Sequence, residues 1–209
     1  GSHFVAAADI QSELTSAARY VTDASPAPVL ATIRTFVEGG QAYLDDEEYC
    51  ALVRCLAPLV GAVDVEISRD GAASLIEDAH GSGALAVASF HDFEATPSDE
   101  VLAEVLAAMN HAGADVLKFA CTATSATDAA RVLAAQAWAR EAYDRPIIGI
   151  AMGPAGAPTR LVGSALGSCA TFACLPGWAG SAPGQFTVEQ ARAVLDVVER
   201  AGLGARSAE

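Results

Sequence analysis

The chain is predicted to be an α/β protein in which strands of a parallel sheet alternate with helices. Three observations point there. Short β-branched and apolar runs recur along the chain, and a longer stretch at helical spacing follows almost every one. These runs are nearly continuous in apolar residues, as strands covered on both faces require. The 209 residues are 52% apolar, enough to bury one sizeable core. Residues 1–209 are therefore expected to form a single domain, with 1–3 a cleaved-tag scar and 204–209 a frayed tail.

Residues 8–23 carry apolar and polar side chains at helical spacing and stop at a Ser25-Pro26 turn. Residues 28–35 are β-branched and read as a strand, which runs into the loop Phe36-Val37-Glu38-Gly39-Gly40. The acidic run Asp45-Asp46-Glu47-Glu48 suits the positive end of a helix reaching about Leu59. Residues 62–67 form a strand whose Asp64 and Glu66, two apart, share one face and point inward. A helix over 72–80 leads to a strand over 84–90, ending in His91-Asp92-Phe93-Glu94, and Ser98 caps a helix to residue 112. Residues 114–121 are a buried strand with Lys118 near its C-terminal end, and Ser125 caps a helix to about Tyr143. The strand 145–152 runs into the loop 153–158, which delivers Thr159-Arg160 to a short helix. Residues 169–174 read as the last strand, 176–185 as a glycine- and proline-rich lid, and Thr187 as the cap of the final helix. The count is one helix and then six strand–helix units.

A net charge of -14 leaves no basic stripe for nucleic acid or an anionic membrane surface. No apolar run reaches the roughly 20 residues of a spanning helix, and no signal-peptide pattern opens the chain, so a cytoplasmic protein is expected. Cys50, Cys55, Cys121, Cys169 and Cys174 are odd in number and sit in mostly apolar contexts, which fits reduced thiols. None has the CxxC spacing of a zinc site.

The residue types that carry chemistry gather after strands. Lys118 is the one lysine beside eleven arginines. A lysine amine can condense with a ketone to an imine, which an arginine cannot do. A histidine such as His91 could shuttle the proton, with Glu38 orienting it, while Arg34 and Arg160 could clamp a carboxylate. Plainer readings stand beside these. Lys118 could snorkel from a strand end, His91-Asp92 could be a turn pair, Glu38 could be solvated, and Arg160 could cap carbonyls.

Four stretches, 34–40, 89–97, 113–118 and 181–185, resemble in order and spacing the signatures of type I 3-dehydroquinate dehydratase, across about residues 4–203. The resemblance implies a TIM-type (βα)8 barrel that converts 3-dehydroquinate to 3-dehydroshikimate in the shikimate pathway. It implies that Lys118 forms the imine with the C3 ketone, that His91 moves protons, and that Glu38 supports His91. It further implies that Arg160 binds the substrate carboxylate, that Arg34 makes a second polar contact, and that Ser181 and Gln185 close over the substrate. No metal or organic cofactor is implied. In that family two strands precede the helix with which this chain begins. The present chain is therefore expected to lack those two strands, to leave open edges at 28–35 and 169–174, and either to cover them as a homodimer or to leave residues 28–40 mobile. Two alternatives stay open at this point: another imine-forming lyase or aldolase on the same architecture, and a catalytically impaired fragment of the dehydratase.

Overall fold

The computed structural model describes residues 7–177, 180, 182 and 184–201, which divide into two compact units. One holds the described residues up to Ser89 together with His111–Asp115. The other holds Phe90–Asn110 and the described residues from Val116 onward.

The first unit contains α1 (Ala7–Ala24), β1 (Leu30–Ala31), α2 (Asp46–Leu56), β2 (Ala62–Glu66), α3 (Ala72–Gly81) and the first five residues of β3 (Leu85–Asp92). Its strands are parallel, with Leu30 opposite Ala62 and Ala62–Glu66 opposite Leu85–Ser89. The acidic run closes a capping box. The Asp45 carboxylate accepts from the Glu48 amide at 2.8 Å, and the Glu48 carboxylate accepts from the Asp45 amide at 3.1 Å. Behind this cap α2 buries Tyr49, Cys50, Val53 and Leu56, and α3 buries Leu75, Ile76 and Ala79. Val63 and Val65 are buried too, and strand alternation turns Asp64 and Glu66 to the opposite face, as their spacing predicts.

The predicted strand 28–35 shrinks to Leu30–Ala31. The reason lies in where its backbone groups go. The Thr35 amide donates to the Glu66 carboxylate, and the Phe36 amide donates to the Ala42 carbonyl, so neither is available to a ladder.

The second unit contains the end of β3, α4 (Asp99–His111) through Asn110, β4 (Val116–Thr122), α5 (Ala126–Ala142), β5 (Ile147–Met152), α6 (Thr159–Val162) and α7 (Val188–Arg200). β4 and β5 pair in parallel with Lys118 opposite Ile148. Ser125 and Thr187 cap α5 and α7 with reciprocal capping boxes, as predicted. Two expectations need correction. Residues 169–174 form no strand: the Cys169 amide donates to Ile147 and the Cys174 amide to Phe186, single bridges that do not propagate. Five strands therefore stand among the described residues where six were predicted. Lys118 is also not near a strand end but third of the seven residues of β4. Among the described residues no helix is long and apolar enough to cross a membrane.

Candidate active site

In the first unit the polar face of β2 meets the loop that carries Arg34 and Glu38. The Arg34 guanidinium donates from Nη1 to Glu38 Oε2 at 3.0 Å and Glu66 Oε1 at 2.9 Å, and from Nη2 to Asp64 Oδ1 at 2.7 Å. Ser89 Oγ donates to Asp64 Oδ1 at 2.6 Å and accepts from Arg34 Nη1 at 3.2 Å. Glu66 accepts in addition from the Thr35 amide, from Thr35 Oγ1 and from Arg69 Nε, while Ser68 Oγ donates to Glu38. Asp64 and Glu66 are 0% exposed and Glu38 3%. The reading of Glu38 as a solvated loop residue therefore fails.

The loop closes this tightly because of its glycines. Gly39 has φ of +81°, a left-handed conformation that suits glycine, and a Cβ on Gly40 would collide with the Arg34 carbonyl.

One guanidinium divided among three carboxylates cannot neutralise all of them. Burial, and then the charge of Glu66, push the Glu38 carboxyl up to about 7, against the opposing pull of Arg34 and Ser68. Arg34 moves upward as well: burial alone would lower it, but Asp64, Glu38 and Glu66 together outweigh that loss. The two shifts look inconsistent for an ion pair at 3.0 Å. They are reconciled by the sharing: Arg34 gains from three anions, whereas Glu38 receives a fraction of one cation and the repulsion of Glu66.

The second unit presents its cations differently. Lys118 is 5% exposed, and strand alternation puts it on one face of β4 with Val116 and Ala120. Ala120, Ile148, Ile150 and Met152 make a buried apolar cluster, with Val116, Phe172 and Ala182 packed against it. The Lys118 Nζ lies over the Phe172 ring, 4.9 Å from its centroid. His91 occupies the end of β3, its ring stacked on Phe93 at 6.4 Å. The turn itself is held by Asp92, whose Oδ1 accepts from the amides of Glu94 and Ala95. Arg160, second residue of α6, is 4% exposed, and burial lowers its pKa. Cys121 is a buried thiol pushed up to about 12, too high for a thiolate nucleophile.

The structure thus brings Arg34 and Glu38 together in the first unit and sets Lys118 in an apolar row of the second. Gln185 lies between Gly184 and the cap of α7, with Gly180 folded close against its side chain. Ser181 lies outside the described residues. Sequence reasoning missed Thr35, Ser68, Ser89, Tyr49, Arg69 and Phe172. Ser89 was within reach, since pairing the strands in register sets it opposite Glu66. Tyr49, whose hydroxyl accepts from the Glu66 amide at 2.9 Å, and Phe172 join their partners through tertiary contacts with no local signature.

Parallel strands alternating with helices make this an α/β protein of the class to which TIM barrels belong. The model of the type I 3-dehydroquinase family matches residues 3–201, and the chain belongs to that family. A 3-dehydroquinate dehydratase of Klebsiella pneumoniae strain 342 is 36% identical over 201 residues, 94% of this chain and 79% of its own length. The crystal structure of 3-dehydroquinate dehydratase from Geobacillus kaustophilus superposes with a TM-score of 0.86 at 32% identity, covering 92% of this chain and 76% of that one. The type I enzyme of Clostridium difficile, solved with covalently modified comenic acid, superposes at 0.82 with 30% identity, over 94% of this chain and 77% of that one. Deoxyribose phosphate aldolase from Aeropyrum pernix is 12% identical at a TM-score of 0.51, over 95% of this chain and 86% of that one, a likeness of fold alone.

Proposed function

We propose that the chain dehydrates 3-dehydroquinate to 3-dehydroshikimate, a step of aromatic amino-acid biosynthesis in the shikimate pathway, through an imine on Lys118. The observation that carries the reading is the placement of the sole lysine in an apolar row under Phe172. An amine held away from water meets a ketone without competing hydration, and the iminium it forms withdraws electrons from the adjacent carbon. The likeness to dehydratases, one of them solved with a covalently modified ligand, supports the same chemistry.

In this reading the Lys118 amine attacks the C3 carbonyl and water leaves to give the imine. His91 takes the C2 proton, leaving an enamine, and returns a proton to the C1 hydroxyl as it departs as water. Hydrolysis of the imine then frees the product and restores the amine. Arg160 holds the substrate carboxylate, Arg34 makes a further polar contact, Glu38 supports proton transfer by His91, and Ser181 and Gln185 close over the substrate. Residues 1–209 act as one catalytic domain, in a cytoplasmic homodimer that uses neither metal nor organic cofactor. A molar mass of one chain by light scattering would remove the dimer.

The decisive experiment is reduction with borohydride in the presence of 3-dehydroquinate, followed by peptide mapping. One substrate-derived adduct on Lys118 is expected. An adduct confined to the N-terminal amine would sink the mechanism.

A further inference from the structure

Gln136 is buried without trace of exposure on the inner face of α5, among Ala129, Val132 and Ala139. A primary amide in such surroundings is costly unless every polar atom is matched. Its Nε2 donates to the carbonyls of Gly163 at 2.9 Å and Leu166 at 3.0 Å, and its Oε1 accepts from the Gly149 amide at 3.0 Å. Two carbonyls on one side and an amide on the other fix which end is nitrogen.

The Gly149 amide belongs to the outer edge of β5. Leu117 donates to Pro146 and Ala123 to Met152, so even-numbered residues near β5 bond toward β4. Odd-numbered residues turn their groups the other way. There Ile147 accepts from Cys169, Gly149 donates to Gln136, and Ala151 donates to Thr159 Oγ1 at 3.3 Å. Thr159 Oγ1 in turn donates to the Gly156 carbonyl at 2.7 Å. Two side chains thus take the place of a neighbouring strand at this edge. One is the residue before Arg160, and the other holds the carbonyls of Gly163 and Leu166 just beyond α6. The segment bearing Arg160 is hung from β5 at both ends. Glycine at 149 is what admits the amide: a Cβ there would lie 2.8 Å from Gln136 Oε1 and 2.9 Å from the Phe119 ring.

We infer that Gln136 is a positioning residue, which with Thr159 fixes the α6 segment so that the Arg160 guanidinium meets the substrate carboxylate. The inference rests on the proposed role of Arg160. A carboxylate clamp is sensitive to small displacements, because the two parallel hydrogen bonds of an arginine–carboxylate pair both need the guanidinium in place.

The test measures KM and kcat for 3-dehydroquinate in the full chain carrying Gln136→Leu, Arg160→Ala or both. Gln136→Leu is expected to raise KM about tenfold with kcat within about threefold, the signature of lost substrate binding, and to add nothing once Arg160 is alanine. Should that variant fail to fold, Thr159→Val removes the other tether at constant shape and is expected to behave alike. If Arg160→Ala raises KM but the tether variant leaves it unchanged, or adds its full effect on top, or lowers kcat alone, the inference falls while the clamp survives. If Arg160→Ala itself leaves KM unchanged, the clamp falls and the inference with it.

Discussion

The two units treat buried charge in opposite ways. On β2, Asp64 and Glu66 are held by the guanidinium groups of Arg34 and Arg69 and by donors of Thr35 and Ser89, at 2.6–3.3 Å. On β4, Lys118 stands in a row with Val116 and Ala120 and opposite Ile148, under an aromatic ring. The first arrangement fixes geometry, since both Glu66 oxygens and Asp64 Oδ1 each accept from two donors and have little freedom to move. The second sets a nearly buried amine among apolar neighbours, the placement on which its proposed role as the imine-forming group rests. A polar network of the first kind should therefore answer in stability when cut, and a cation of the second kind in rate.

The largest effect expected is on rate. Lys118→Ala should lower turnover on the order of 10⁵-fold or more, as loss of a covalent nucleophile commonly does, while the urea midpoint moves little. A variant that keeps a tenth of the turnover would break the comparison at once. His91→Ala should cost about 10²–10⁴-fold, the usual range for a proton-transfer group, and yet still give the borohydride adduct on Lys118. An unchanged rate would take His91 out of the mechanism. Arg34→Leu should instead destabilise by about 3–5 kcal/mol, because it leaves carboxylates buried without their cation. An urea titration finding less than about 1 kcal/mol would mean that Arg69 and the hydroxyls alone satisfy the carboxylates.

These contrasts were unequally legible in the chain. Helices were readable because their starts are local: Asp45 with Glu48, Ser125 with Asp128 and Thr187 with Gln190 each close a box within four residues. The inward pair Asp64 and Glu66 followed from strand period alone. The limits of the strands did not, because whether residues 32–35 or 169–174 join a ladder depends on partners far away, here the Glu66 carboxylate and Ile147. Lys118 could be singled out as the one lysine, but its apolar row needed the register of β4 on β5, which sets Ile148 beside it. Gln136 drew no notice among the alanines of α5, since its value comes from an absence elsewhere, the missing side chain of Gly149. Neighbours that matter by leaving room write no pattern.

The smallest effect expected concerns Glu38 and is one of pH. Its carboxyl sits near 7 in the folded chain against an ordinary value of 4.5, raised by burial first and by Glu66 second. Below about 4.5 the group is protonated folded or unfolded and contributes no difference. Between about 4.5 and 7 the folded chain keeps a proton that the unfolded chain has lost, so each unit of rising pH costs the fold up to about 1.4 kcal/mol from this group. Above about 7 both forms are ionised and the whole penalty, on the order of 3 kcal/mol, is present. The stability that protonated Glu38 preserves is thus full below pH 4.5 and lost as pH rises through 7. Glu38→Gln, which cannot ionise, should remove this slope. Urea midpoints of the two chains compared at half-unit steps from pH 4.5 to 7.5 should therefore draw apart in favour of the glutamine variant. A gap that stays constant would mean that Arg34 holds Glu38 ionised throughout, and the three carboxylates would then share their cation more evenly than the geometry implies. If Glu38→Gln opens no such gap in a Glu66→Gln background, the shift belongs to that neighbour's charge, since that background keeps the burial of Glu38 and loses only the repulsion.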